Sequence, residues 1–233
     1  MSIITPFARE VVERAYRGRL DRVPEEVLVR VGVDDVTHAF LRDVGLPGEA
    51  VGPYEQTTLF RPAWPEPRVI RGLTFVLVAS VDDPDPARGR SLWLHLESGL
   101  LYSGGEENLV FVNASVAAYL ACLTLFREAF LDTVKDGADP WSHLGEDDDE
   151  MDGDVDDEDV PLGSPASRAR AAHLRELVTR VDPLAFDERL EVDDENFWSF
   201  VAHELEWGLI RPGGGSVGPW PPEEDEGSLR LEP

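Results

Sequence analysis

Residues 91–115 read SLWLHLESGLLYSGGEENLVFVNAS, and this stretch decides the fold. From Leu92 to Leu96, leucine alternates with aromatic or polar residues, which is the period-two pattern of a strand with two different faces. Gly99 accepts a positive φ and predicts a tight turn. The apolar run that begins at Leu100 is therefore expected to return as the second strand of a hairpin.

A third short strand and a long helix follow this hairpin. Residues 109–112 read LVFV, and the side chain of Asn113 after them is expected to cap the next helix. From Val116 to Leu131, apolar residues recur at steps of three and four, which predicts a helix with one apolar face. This stretch therefore predicts a helix packed on a sheet, and it shows no pairing of catalytic groups.

The rest of the chain supplies one long strand and further helices. β-Branched and aromatic residues over 70–79 predict a single strand. The last helix is expected to be capped by Asp193 or Asp194. The predicted further helices are 6–22, 35–41, 166–181 and 196–210. We predict an α+β fold in which a mainly antiparallel sheet of about four to six strands is flanked by helices.

The charge balance restricts the partners. The 233 residues contain 47 Asp and Glu against 21 Lys and Arg, a formal net charge of -26. Nucleic acid and anionic membranes carry the same sign and would be repelled over most of the surface, so we expect neither as a partner. A basic protein is the expected partner.

The number of cysteines indicates the kind of cellular compartment in which the protein is expected. Cys122 has no second cysteine with which to form an internal disulfide or a cysteine-based metal site, which favours a reducing compartment. The first residues lack a basic region followed by an apolar core, and no apolar run reaches the length that spans a membrane. We therefore expect a cytoplasmic protein.

Residues 146–159 form a low-complexity acidic run. Charges this dense repel one another, so we expect a disordered insertion at about residues 145–165 of a single domain that spans 1–210. Residues 211–233, rich in Gly, Pro and Glu, are expected to form a flexible tail. The run has three open interpretations: a solvated linker, an electrostatic lure for a basic partner, or a calcium loop, because its acidic residues from Asp148 onward follow the EF-hand spacing.

Aromatic residues supply a second kind of candidate contact. Trp64, Trp141, Trp207 and Trp220 are candidate anchors for a partner, although burial in the core is the commoner fate of tryptophan. The residues that we assign to partner binding are Glu146, Asp147, Asp148, Asp149, Glu150, Asp152, Asp154, Asp156, Asp157, Trp64 and Trp141.

No pattern in the sequence indicates an enzyme. The five histidines are scattered, and none has a second histidine three or four residues away to build a metal site. The glycines at 104–105 and 213–215 lack the strand-to-helix context and the basic residue of a phosphate-binding loop. We therefore predict a protein that is not an enzyme and that uses no metal and no cofactor.

Several short motifs resemble the SUKH superfamily. The hairpin with Gly99 in its turn, FVNAS at residues 111–115 before an apolar helix, and FW at residues 197–198 in a closing helix are similar to its SUKH-4 branch. Ala114 stands where that family more often has serine. The resemblance covers most of residues 27–208. The residues that it implies as fold determinants are Gly99, Phe111, Asn113, Ser115 and Trp198.

The resemblance also implies a function. Members of this superfamily act as immunity proteins, so the chain is expected to bind and neutralise a cognate polymorphic toxin, such as a nuclease or a deaminase, by covering it. The resemblance supplies no catalytic residues and does not name the toxin. The alternative is an acidic regulatory or scaffold protein of the SMI1/KNR4 kind, which would bind several unrelated partners.

Overall fold

The architecture is an antiparallel sheet packed against a layer of helices. A computed structural model describes residues 4–51, 53, 57–60, 64–81, 90–106, 108–132, 163–190 and 196–210. The α-helices are α1 (Pro6–Ala15), α2 (Glu25–Val31), α3 (Asp35–Asp43), α4 (Val116–Phe126), α5 (Pro165–Val181) and α6 (Phe197–Glu206). The strands are β1 (Leu20–Asp21), β2 (Leu46–Pro47), β3 (Glu49–Val51), β4 (Thr57–Phe60), β5 (Arg68–Ile70), β6 (Leu73–Val81), β7 (Arg90–His95), β8 (Leu101–Ser103) and β9 (Val110–Asn113).

Seven of the described strands form one sheet. Its order is β3-β4-β6-β7-β8-β9, and β5 pairs with β6 outside this path. Every pairing in it is antiparallel, while β1 and β2 form a separate two-stranded sheet. The predicted α+β class with a mainly antiparallel sheet is therefore confirmed.

The hairpin predicted from the opening stretch is formed by β7 and β8. Leu94 lies opposite Leu101 in the register of these two strands. Gly99 has a φ of +72°, and its N–H donates to the carbonyl oxygen of His95 at 2.8 Å. The indole N–H of Trp93 donates to the carbonyl oxygen of Gly104 at 2.9 Å, which ties β7 to the segment beyond β8.

Helix α4 lies at the centre of the core, in contact with β3 and β9 of the sheet and with helices α1 and α5. Ten of its eleven residues are buried, whereas the sequence predicted a single apolar face. Because α4 has the sheet on one side and helices on others, it is apolar nearly all round, as a core helix is. Beyond Phe126 the chain continues as a π-helix over Arg127–Asp132, so the regular α-helix is shorter than predicted.

The sheet is apolar on both faces at β6. Val76 and Val78 belong to the large core under the helices, whereas Phe75 and Leu77 belong to a second cluster, since side chains alternate along a strand. Trp93 of β7 belongs to the same second cluster. The central strands are therefore held by packing from two sides.

The strand predicted over 70–79 is confirmed from Leu73 onward, but a turn separates Ile70 from it. Arg71 and Gly72 have φ values of +52° and +81°, and they connect β5 to β6 as a two-residue hairpin loop. Two successive residues with positive φ are typical of a type I′ turn, whose twist matches that of the flanking strands. Leu73 begins the longer strand of the pair.

Two of the predicted helix caps are also wrong. Ser115, not Asn113, caps α4, because the Ser115 hydroxyl accepts the backbone N–H three residues further on. Asn196 caps α6 in the same way at 2.9 Å, whereas the predicted caps Asp193 and Asp194 lie outside the described residues. In both cases the cap is the polar residue directly before the first helical residue.

Candidate partner-binding surface

A buried polar network joins β9 to the ends of α5 and α6. The side-chain amide of Asn113 donates to Asp182 Oδ2 at 2.7 Å, and the indole N–H of Trp198 donates to Asn113 Oδ1 at 3.0 Å. The backbone N–H of Ala114 donates to the same Asp182 oxygen at 2.7 Å. Asn113 and Trp198 are fully buried, and Asp182 is 1% exposed. Asn113 is therefore engaged in the core rather than at the start of α4.

The pKa shifts in this network are those of buried groups with a structural role. Burial raises the pKa of Asp182, and hydrogen bonds from Ala114, Asn113 and Leu184 oppose that rise. Burial also raises the pKa of the Cys122 thiol, which lies within 3.7 Å of the Asn113 amide nitrogen. A buried thiol with a raised pKa stays protonated and is a poor nucleophile.

The other residues that the resemblance marked also lie in the core or at turns. Phe111 is fully buried, and its ring meets that of Tyr102 edge-on at 5.9 Å. Gly99 occupies the β7–β8 turn, and Ser115 begins α4. None of these side chains is placed to contact a partner, because each is buried or confined to a turn.

The residues assigned to partner binding are mostly absent from the described ranges. The acidic residues from Glu146 to Asp157 and Trp141 lie within residues 133–162, outside those ranges, so the structure does not decide among the three interpretations of the acidic run. Trp64 is described and is only 2% exposed. The expectation that Trp64 is an exposed anchor is therefore wrong, because its side chain packs in the large core.

The negative charge of the chain is unevenly distributed. The described residues contain 16 arginines and 20 Asp or Glu residues, which gives a formal charge of -4. The remaining residues contain five Lys or Arg and 27 Asp or Glu, which gives -22. The described residues are therefore almost neutral, and most of the formal negative charge belongs to residues outside the described ranges.

Large apolar side chains are exposed at three places on the described surface. Val29 lies on α2, Val69 and Leu73 flank the β5–β6 turn, and Trp207 and Leu209 follow the end of α6. Trp207 was a candidate anchor in the sequence, whereas Leu209 was not recognised. The signal for Leu209 was an apolar residue directly after a glycine at the end of a predicted helix.

The described residues also bear on metal binding and on membrane-spanning helices. Within the described ranges, no group of three or more His, Cys, Asp or Glu side chains is placed to hold a metal ion. His38 lies 3.0 Å from a carboxylate oxygen of Glu25, and His203 stacks on Trp207, so these histidines have other neighbours. No helix in the described part of the chain has the length and apolar character needed to cross a membrane.

Comparison with known proteins identifies the class. A family model described as SUKH-4 immunity protein matches residues 7–204. The match spans α1 to α6 and covers most of the chain, so this chain belongs to the SUKH-4 immunity protein family. Comparison with curated proteins finds no match, and comparison with solved structures finds none.

Proposed function

We propose that this chain binds a cognate polymorphic toxin, such as a nuclease or a deaminase, and neutralises it by covering its working surface. The family match over residues 7–204 carries this proposal, because it covers the whole helical layer and the sheet. The matched family is an immunity family, which favours this function over a scaffold protein with several partners. On this proposal the chain acts in the cytoplasm by binding and not by catalysis.

The partner is a basic protein. The formal net charge of -26, of which -22 lies outside the described residues, attracts a basic toxin before contact is made. Complementary charge of this kind raises the association rate and disfavours partners of the same sign. Nucleic acid and anionic membranes are therefore excluded as partners on the same grounds.

Coexpression tests the proposal. Cells that make the toxin domain encoded by the neighbouring gene are expected to survive when they also make this chain, and the two purified proteins are expected to elute as a one-to-one complex. Death of the doubly expressing cells, with no complex on the column, would contradict the proposal. Capture of several unrelated proteins at similar affinity would favour the scaffold function instead.

The charge part of the proposal has its own control. Changing Asp148, Asp149, Asp152 and Asp154 to Asn is expected to lower the association rate with the toxin about tenfold at low salt, because steering depends on charge. A matched variant removes four exposed carboxylates of the folded body, those of Glu10, Glu26, Glu49 and Glu176. A smaller loss in this control locates the steering charge in the acidic run, whereas an equal loss would attribute it to net charge alone.

A further inference from the structure

Trp207 and Leu209 form an exposed apolar patch beside His203 at the end of α6. Trp207 and Leu209 are each 42% exposed, and His203 is also exposed. The ring centroids of Trp207 and His203 are 4.5 Å apart, so the imidazole supports one side of the indole. We call His203, Trp207 and Leu209 the Trp207 patch. Tryptophan on a surface of this kind is the residue type most enriched among the energetic centres of protein interfaces.

The backbone beneath the Trp207 patch is fixed. The N–H of Leu209 donates to the carbonyl oxygen of Glu204 at 2.8 Å, and that of Gly208 donates to Leu205 at 3.1 Å. With Gly208 at a φ of +76°, these bonds make a Schellman motif. Ile210 follows at 5% exposed and returns the chain to the core. Because the patch is held before a partner arrives, little ordering entropy is lost on binding.

In most Schellman motifs the apolar residue after the glycine packs back onto the helix. Here the helical residue at the packing position is Glu204, a carboxylate that is 8% exposed, and Leu209 keeps 42% of its surface accessible. Leu209 therefore keeps a large exposed area beside Trp207. An exposed Leu next to an exposed Trp is the arrangement expected of a surface that is completed by a partner.

The acidic stretch 133–162 is connected to the fold close to the Trp207 patch. Gly163, the first described residue after it, passes so close to α6 that a Cβ atom on it would overlap the carbonyl oxygen of Glu206. Residues 133–162 carry 13 carboxylates and one lysine in sequence. The described charges nearby have both signs: Arg168 donates to the Gly163 carbonyl oxygen at 2.8 Å, and Arg175 lies 3.9 Å from Glu206. The C-terminal end of α6 adds a partial negative charge.

We propose that the Trp207 patch is the anchor through which this protein holds its toxin. The toxin surface that fits it has an apolar pocket of indole size, surrounded by Lys and Arg side chains that face the acidic segment. This inference rests on the proposed function. It adds the place of contact: the rigid aromatic anchor determines how long the complex lives, and the acidic residues determine how fast it forms.

Binding kinetics with the toxin domain encoded by the neighbouring gene test the assignment. Trp207→Ala is expected to raise Kd about 30-fold, almost entirely through faster dissociation, as loss of an energetic centre does. The association rate and its salt dependence are expected to stay unchanged, because no charge is altered. Trp207→Phe keeps an aromatic ring and is expected to retain most of the affinity. Val69→Ala, at a side chain that is 72% exposed, is the matched control and is expected to leave Kd within about threefold.

The outcomes separate this inference from the proposed function. A change of less than about tenfold for Trp207→Ala, with the wild type binding tightly, would overturn the anchor and leave the immunity function standing. Sedimentation of the protein alone provides a second check, since a dimer that Trp207→Ala dissociates would assign the patch to a second copy of this chain and also overturn the anchor. Failure of the wild type to bind that toxin domain would overturn the proposed function and the anchor together.

Discussion

Asn113 connects parts of the chain that are far apart in sequence. Two of its hydrogen-bond partners in the core, Asp182 and Trp198, lie 69 and 85 positions further along. A side-chain amide suits this position because it donates to a carboxylate and accepts from an indole at the same time. The network fixes the end of α5 and the start of α6 against the last strand of the sheet.

Removal of the Asn113 side chain is expected to destabilise the protein. Asn113→Ala leaves the Trp198 indole N–H without its acceptor and removes one donor from Asp182, and each abandoned buried partner costs about 1–3 kcal/mol. We expect the free energy of unfolding in urea to fall by about 3 kcal/mol. Asn108→Ala, at an exposed asparagine, is the control and is expected to stay within about 0.5 kcal/mol. Equal losses for the two variants would contradict the role of the network.

The raised pKa of Asp182 predicts how its contribution to the free energy of unfolding depends on pH. Its ordinary value is 3.8, so above that pH the unfolded chain releases the proton while the folded chain still holds it. The folded state then binds more protons, and the contribution of Asp182 to stability falls as the pH rises through the folded pKa. We expect the difference in unfolding free energy between wild type and Asp182→Asn to shrink as the pH rises above 3.8, since other titrating groups are common to both. A difference that grows with pH would contradict the raised pKa.

Single-residue roles were the hardest to predict from the sequence. The capping rule assigned Asn113 to α4 because it is a polar residue shortly before a helical pattern, yet its partners are distant in sequence. Trp64 was assigned to partner binding, whereas its large apolar side chain is buried in the core. Contacts between distant positions leave no periodicity in the sequence.

At the scale of elements, the hairpin of β5 and β6 shows how a turn can go unrecognised within a strand-like sequence. Arg71 and Gly72 lie inside a run of β-branched and aromatic residues, and the usual sequence signal of a type I′ turn is Asn-Gly or Asp-Gly. In residues 91–103, by contrast, a clear period of two precedes Gly99, so the sequence predicts both the strand and its turn. Predictions of strands therefore succeed where periodicity and turn residues agree.

The turn itself is testable with a matched pair of glycines. A Cβ atom would meet nothing within 4 Å at either Gly72 or Gly48, but only Gly72 has a φ, +81°, that disfavours side chains. Gly72→Ala is expected to lower the free energy of unfolding by about 1 kcal/mol, the strain of a left-handed residue. Gly48→Ala is expected to cost little by comparison, as measured by thermal or urea unfolding. A loss at Gly48 as large as that at Gly72 would contradict the assignment of the turn.

Helix α4 shows that a helical sequence pattern predicts a helix but not how many of its sides are buried. Its residues follow a helical period, so its existence was predicted, but its burial on nearly all sides was not. Alanine satisfies the exposed and the buried side of a helix equally well, and only the positions of α1, α5 and the sheet decide which side is covered. The number of apolar faces on a helix therefore depends on tertiary packing.

At the scale of the whole molecule, most of the formal net charge lies outside the described residues. The described residues hold the cores and only -4 of the net charge, whereas -22 belongs to residues outside them. The acidic run was evident in the sequence, because charge needs no partner to be recognised. The candidate anchor at Trp207 was less evident, because the exposure of a tryptophan depends on what packs around it.

Membership in the SUKH-4 immunity family, together with the acidic charge, supports our proposal that this protein neutralises a toxin by binding it. A binder and an enzyme differ in how much of each is needed. A binder is consumed one for one by its target, whereas an enzyme that inactivates the toxin would be needed only in trace amounts.

Titration of toxin activity with the purified protein tests this distinction most directly. The toxin domain encoded by the neighbouring gene is held at a concentration well above Kd, and its residual activity is measured as this chain is added. We expect activity to fall in proportion to the protein added and to vanish at one equivalent. Loss of all activity at a small fraction of an equivalent, or full activity in excess protein, would contradict neutralisation by binding.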